Sequence, residues 1–312
     1  MSEPMLEIDG LVRHFGKLRA VDDISFSADR GQVLAFIGPN GAGKTTTMRI
    51  LATLDVPQHG DARIGGISII DYPEETRRVT GFMPDYAGVY GQTTVEEYLD
   101  FFARTYSLNG PARHKAVQNI IEFMGIGDLK DRMIDTLSKG LQQRVALGRA
   151  IIHNPQFLIL DEPAANLDPR GRIEFRTLIR ELAADGKTIL LSSHILTELS
   201  EICDRVAVIE KGKILAEGTV QEITNGVRRQ RLLSVRLSSQ HESAQRFLLE
   251  QPEVSRVHEV GGCLRFEFGG ADDDQVALLG RMVGTGFPVL EFSVQDAGLE
   301  DLFMKITAGS MQ

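Results

Sequence analysis

The run Gly38-Pro39-Asn40-Gly41-Ala42-Gly43-Lys44-Thr45 has the spacing G-x-x-x-x-G-K followed by Ser or Thr. Glycines at these intervals let successive backbone N–H groups turn inward around a phosphate. A helix opening at the lysine, the stretch TTTMRILATL that begins with Thr45 and Thr46, adds the partial positive charge of its N-terminus. In such a cradle Lys44 reaches the β- and γ-phosphates and Thr45 offers a hydroxyl to Mg²⁺. A second candidate is the acid pair Asp161 and Glu162, which ends the apolar run Phe157 to Leu160. Carboxylates at the carboxyl end of a buried strand lie where α/β sheets bind ligands. There Asp161 would hold Mg²⁺ through water, and Glu162 would orient and partly deprotonate an attacking water. A third is Ser138, at a helix N-cap position in LSKGLQQRVALGRAI.

These residues need a scaffold, and the pattern supplies one. Val33 to Ile37, Phe157 to Leu160, Thr188 to Ser193 and Val206 to Ile209 are continuous apolar or small-residue runs, as expected of parallel strands buried on both faces. Alternating with helical stretches from Leu6 to about Val220, they predict an α/β domain. Between Thr94 and Ile134, VEEYLDFFARTYSL and AVQNIIEFMGI carry apolar residues at helical spacing without a strand, which predicts a helical insert. A linker is expected near Asn225-Gly226, before the basic segment VRRQR. Downstream, Leu233, Val235 and Leu237 alternate with polar residues, and a short helix follows. A hairpin is expected across Gly261-Gly262, then a helix over Gln275 to Val283 and a strand over Val289 to Val294. The order β-α-β-β-α-β is ferredoxin-like. A last helix would present Leu299, Leu302, Phe303 and Ile306 on one face.

Composition sets the outer limits. The chain has 312 residues, enough for about two domains, with 42% hydrophobic and 25% charged residues, which excludes disordered and fibrous classes. Its 34 Lys and Arg against 43 Asp and Glu give a net charge of −9, so no nucleic-acid partner is expected. The opening MSEPMLEIDG carries acids where a signal peptide has a basic stretch, and no apolar run reaches the length of a membrane span, so the chain is expected in the cytoplasm. Cys203 and Cys263 have no CxxC partner and are expected to be reduced core thiols.

Taken in order, these segments resemble the ATP-binding subunit of an ABC transporter over about Leu6 to Glu222. LSKGLQQR resembles the family's signature LSGGQQR, AANLDP from Ala164 to Pro169 resembles its D-loop, and His194 after TILLSS stands where the family has its switch histidine. Phe15 stands where an aromatic residue stacks on adenine. The single ATPase domain with a small domain ending in AGLEDLFMKITAG resembles the export branch. The resemblance implies an α/β P-loop NTPase core over residues 1–225 with a helical subdomain over about residues 86–135, followed by a ferredoxin-like α+β domain over residues 226–312. It implies ATP bound by Phe15, Gly38, Pro39, Asn40, Gly41, Ala42, Gly43, Lys44, Thr45 and Thr46, and, from a second copy, by Ser138 and Gly140. It also implies catalysis through Glu162, His194 and Lys44, with Mg²⁺ held by Thr45, Asp161 and the residue at position 85. A homodimer would close on two ATP molecules and move a separate membrane permease, contacted by the helical insert and the Tyr86 to Tyr90 loop, with the chain peripheral on the cytoplasmic face of the membrane.

Two departures stand out. Lys139 and Leu141 replace a glycine and a glutamine of the signature, while Ser138 and Gly140 keep the groups that would meet a γ-phosphate. Asp85 replaces the glutamine of the Q-loop. It either approaches Mg²⁺ as a hard oxygen ligand or stays back because the triphosphate repels a second anion; the expectation is metal contact, direct or through one water. The competing classes are a non-transport ABC ATPase acting in translation or DNA repair, a nucleotide kinase, and a regulatory module without turnover. The chain has neither the paired ATPase domains nor the long coiled coil of the first, and a kinase has no use for LSKGLQQR.

Overall fold

The computed structural model describes residues 3–85, 88, 91–165, 167–193, 202–219, 222–223 and 231–295. The chain divides into two compact units, residues 1–220 and 221–312. The linker expected near Asn225, the Tyr86 to Tyr90 loop expected to contact the permease (all but Gly88), His194 and the last helix expected at Leu299 to Ile306 lie outside the described residues.

The first unit is built on two sheets. Strands β3 (Val33–Ile37), β6 (Thr80–Met83), β7 (Phe157–Leu160), β8 (Thr188–Ser193), β9 (Arg205–Glu210) and β10 (Lys213–Thr219) form a six-stranded sheet in the order β10-β9-β3-β8-β7-β6. All its pairings are parallel except that of the edge strand β10 with β9. Every residue of β3 and of β7 is buried, which is what strands covered on both faces require. The second sheet was not foreseen: β1 (Leu6–Phe15), β2 (Leu18–Ala28), β4 (His59–Ile64) and β5 (Ile67–Ser68) pair antiparallel in the order β2-β1-β4-β5. Leu6, Ile8 and Leu11 from β1 share a core with Phe26, Phe36 and Met48, joining the two sheets.

Helices α1 (Lys44–Leu51) and α2 (Pro73–Val79) precede the helical part, α3 (Val95–Thr105) and α4 (Gly110–Phe123). The start of α3 is set by a capping box: the Thr94 hydroxyl accepts from the Glu97 N–H at 3.2 Å, and the Glu97 carboxylate accepts from the Thr94 N–H at 2.9 Å. Val95, Leu99 and Ala103 lie on its buried face. Helix α5 (Lys139–Ile151) is capped by Ser138, and α6 (Pro169–Ala184) by Asp168 with proline in its first turn.

In the second unit, β11 (Arg231–Leu237), α7 (His241–Leu249), β12 (Val254–Val260), β13 (Cys263–Phe268), α8 (Asp272–Gly284) and β14 (Val289–Gln295) follow the predicted order. The sheet order β12-β13-β11-β14, antiparallel throughout, is that of a ferredoxin-like fold. Leu233, Val235, Phe266 and Phe268 face Leu248 and Leu278 in its core. The hairpin turns at Gly261 and Gly262, with φ of 60° and 77°, the left-handed pair that a two-residue turn needs. Both cysteines are free thiols of intermediate exposure, and burial pushes the Cys203 thiol well above its ordinary range.

Candidate functional site

The cradle is the turn between β3 and α1. Gly43 has φ 113°, and a Cβ there would lie 2.2 Å from the Ala20 carbonyl oxygen, so only glycine allows the turn that aims Lys44. No side-chain cap takes up the first N–H groups of α1, which leaves them to an anion. Lys44 is only 6% exposed. Its Nζ donates to the Gly38 carbonyl oxygen at 2.6 Å, lies 3.4 Å from that of Pro39, and stands 3.5 Å from Glu162 Oε1. Those acceptors are what a buried ammonium requires.

The acid pair leaves the end of β7. Asp161 is 1% exposed, and its N–H bonds the Met83 carbonyl at 2.8 Å. The Ser192 hydroxyl donates to Asp161 Oδ1 at 2.7 Å and accepts the Glu162 N–H at 2.8 Å. Asp161 Oδ2 is buried and has no hydrogen-bond partner among the described residues. Glu162 adopts a left-handed backbone, φ 47°.

Residues Pro39 to Thr46, Phe15, Asp85 and Glu162 all line one cleft of about 430 Å³, and the buried Asp161 is the sequence neighbour of Glu162. Phe15, at the end of β1, is 48% exposed, and the Arg13 guanidinium, paired with Asp55 at 2.7 Å, lies 4.7 Å from its ring centroid. An open aromatic ring, a phosphate turn, a buried ammonium and two acids suit a nucleoside triphosphate from base to γ-phosphate.

Ser138 and Gly140 do not join this cleft. They line a second one of about 500 Å³ with Leu167, Asp168 and Glu174, and the Ser138 hydroxyl accepts the Leu141 N–H at 3.4 Å. A third groove, of about 260 Å³, runs between the core and the helical part, lined by Leu51, Leu54, Phe82, Phe102, Tyr106 and Arg149. Arg149 donates to the Phe82 carbonyl at 3.3 Å and lies over the Phe102 ring at 5.2 Å. Tyr106 stacks on His153 with centroids 3.6 Å apart, and burial pushes the His153 ring down to about 4, so it is neutral at neutral pH. Sequence reasoning missed Ser192, Arg13 and this groove, because each depends on which strands and helices become neighbours.

The oxygen donors suit Mg²⁺, which takes one or two protein ligands and completes its shell with phosphates and waters. The buried Asp161 Oδ2 and the Thr45 hydroxyl fit that pattern. No group of three His, Cys, Asp or Glu able to hold a metal by themselves occurs among the described residues.

Comparison with known proteins agrees with this geometry. Residues 21–165 match the ABC transporter family, and residues 218–307 match the C-terminal domain of DrrA1-3-like ATP-binding proteins. The chain is 34% identical to Nod factor export ATP-binding protein I of Ralstonia nicotianae, covering 100% of this chain and 96% of that protein. It is 32% identical to the daunorubicin/doxorubicin resistance ATP-binding protein DrrA of Streptomyces peucetius, covering 97% and 92%. Among solved structures, the ATP-binding subunit of an ABC transporter superposes with a TM-score of 0.65 at 30% identity, over 72% of this chain and 93% of that one. With the phosphate cradle, the acid pair and full-length relatives in agreement, the chain belongs to the ABC transporter family, as an ATP-hydrolysing transport subunit with a DrrA-like C-terminal domain.

Proposed function

We propose that this subunit powers an exporter, that two copies close head to tail over two ATP molecules, and that this closure drives a separate integral membrane permease. The observation that carries the reading is the division of the nucleotide residues between two clefts: Lys44, Thr45 and Glu162 in one, Ser138 and Gly140 in the other. Each copy thus offers two half-sites, and head-to-tail pairing completes both. The export direction is supported by relatives named for Nod factor export and drug resistance.

In this reading Phe15 stacks on adenine, residues Gly38 to Thr46 hold the phosphates, and Thr45 and Asp161 hold Mg²⁺. The metal supplies charge neutralisation at the phosphate oxygens. Glu162 orients water and takes its proton, and His194, outside the described residues, meets the γ-phosphate. ATP bridges the two copies, and hydrolysis weakens the bridge, so the work comes from the difference in binding free energy between closed and open pairs. No helix among the described residues is long and apolar enough to cross a membrane, which leaves the pathway to the permease. The groove carrying Leu54 and Phe102 is its docking point, holding the subunit at the cytoplasmic face; nucleic acid has no part in the cycle. The test is ATPase activity of the purified chain with and without membranes from the cells that produce it. Stimulation by those membranes is expected; stimulation by ribosomes or DNA in their place would overturn the transport reading.

Asp85 belongs, in the same reading, to the metal shell. It lines the cleft with Lys44 and Glu162. Compared with glutamine its side chain is about 1.5 Å shorter and, ionised, only accepts hydrogen bonds. Asp85→Asn is expected to lower Mg²⁺-supported turnover and raise the Mg²⁺ concentration needed, while Asp85→Gln is tolerated. Wild-type metal dependence in the Asn, Gln and Ala variants alike would put Asp85 outside the shell.

A further inference from the structure

Strand β8 lies between β3, which feeds the phosphate cradle, and β7, which ends in the acid pair. Its register pairs Leu191 with Leu160 on one side and Ser192 with Phe36 on the other, so Ser192 stands one step beyond the last paired residue of β7. The side chain is fully buried. Its single oxygen serves both acids: the proton goes to Asp161 Oδ1 at 2.7 Å, and a lone pair receives the Glu162 N–H at 2.8 Å.

Each bond fixes something the chemistry needs. Glu162 has φ 47°, a conformation that a residue with a Cβ adopts only when its surroundings impose it. The bond to its N–H is one of those constraints. At Asp161, a hydrogen bond on Oδ1 sets the rotation of the carboxylate and leaves Oδ2, buried and without a hydrogen-bond partner among the described residues, as the oxygen offered to a cation.

We propose that Ser192 is a positioning residue of the ATPase site, its hydroxyl clamping the backbone of Glu162 and the carboxylate of Asp161 together, so that one group sets both the base and the metal-holding oxygen. This rests on the ATPase reading of the acid pair.

The test compares Ser192→Thr, which keeps a hydroxyl, with Ser192→Val, which has the shape of threonine without it, and with Ser192→Ala, which adds no bulk. All are made in the full chain and checked for folding by thermal unfolding. Two measurements are made: ATP hydrolysis, giving kcat and KM, and the ratio of affinities for a fluorescent ATP analogue with and without Mg²⁺. Val and Ala should lower kcat by about 10–100-fold, the range for losing a hydrogen bond to a charged group, with KM little changed. Their Mg²⁺-dependent gain in affinity should shrink severalfold, and affinity without Mg²⁺ should stay at the wild-type level. Thr should keep both properties close to wild type. The proposal is overturned if Val and Ala match wild type, if Thr is as impaired as Val while Ala is normal, or if affinity falls equally with and without Mg²⁺, which is the mark of a merely structural role. Absence of turnover in the wild-type chain would instead remove the ATPase reading, and the affinity ratio would still decide whether the hydroxyl clamps the metal-side carboxylate.

Discussion

Glu162→Gln should bind ATP and hydrolyse it about 10²–10⁴-fold more slowly, the range for losing a general base. Glutamine has nearly the shape of glutamate, so the bond from the backbone N–H at position 162 to Ser192 can persist, and an amide can still hold a water. It cannot take the proton. Binding should not weaken, because the substitution removes one negative charge from a cleft that receives a triphosphate. With the bridge made and not broken, a closed pair should accumulate, visible as an ATP-dependent dimer by size-exclusion chromatography. Turnover within tenfold of wild type would remove Glu162 from the role of base.

Lys44→Ala should abolish turnover and weaken ATP binding by at least about 10–100-fold, the worth of a hydrogen bond to a charged group in a dry site. The ammonium is 6% exposed and 3.5 Å from Glu162, so its loss also strips that carboxylate of a buried partner. Breaking a buried ion pair can cost about 3–5 kcal/mol of stability, comparable to the binding effect itself. Thermal unfolding on the same sample therefore has to accompany the nucleotide titration. A folded Lys44→Ala chain with unchanged affinity and normal ATPase activity would show that the Gly38 to Thr45 turn is not a working cradle.

The parts of this molecule that could be read from the chain are those whose information is local. Gly38 to Thr45 carries its turn, its charge and its helix start within one segment, and it folds as its spacing demands. Strands β3 and β7 are legible for the same reason, being buried at every residue. In the second unit, alternation in β11, the paired glycines before β13, two helical patterns and the run Val289 to Val294 together gave the order of elements. The antiparallel sheet of β1, β2 and β4 escaped because its signal is interrupted: β1 and β2 shift register between Ile8 and Leu11 and again around Arg13, and Asp23 enters the left-handed region within β2. Such irregularities break the two-residue period on which a strand is recognised. Ser192 was invisible for another reason. A serine inside a buried strand reads as a small filler until the register sets it beside Asp161. The division of Phe15 and Lys44 from Ser138 and Gly140 likewise depends on how α5 packs across the sheet, not on any spacing along the chain.

Helix α5 joins two of the surfaces described above. Its N-cap, Ser138, lines the second cleft, and Arg149, near its other end, lines the groove between the core and the helical part. At about 1.5 Å of rise per residue, the two positions are roughly 16 Å apart along one continuous hydrogen-bonded rod. Arg149 is tethered to the Phe82 carbonyl and stacked on Phe102, which makes that end a natural fulcrum. A tilt of about 10° about it swings Ser138 through about 3 Å, the length of a hydrogen bond. In the proposed closed pair the rod would give a mechanical advantage: a tilt of that size at the groove would be enough to make or lose a contact between the serine hydroxyl and a phosphate.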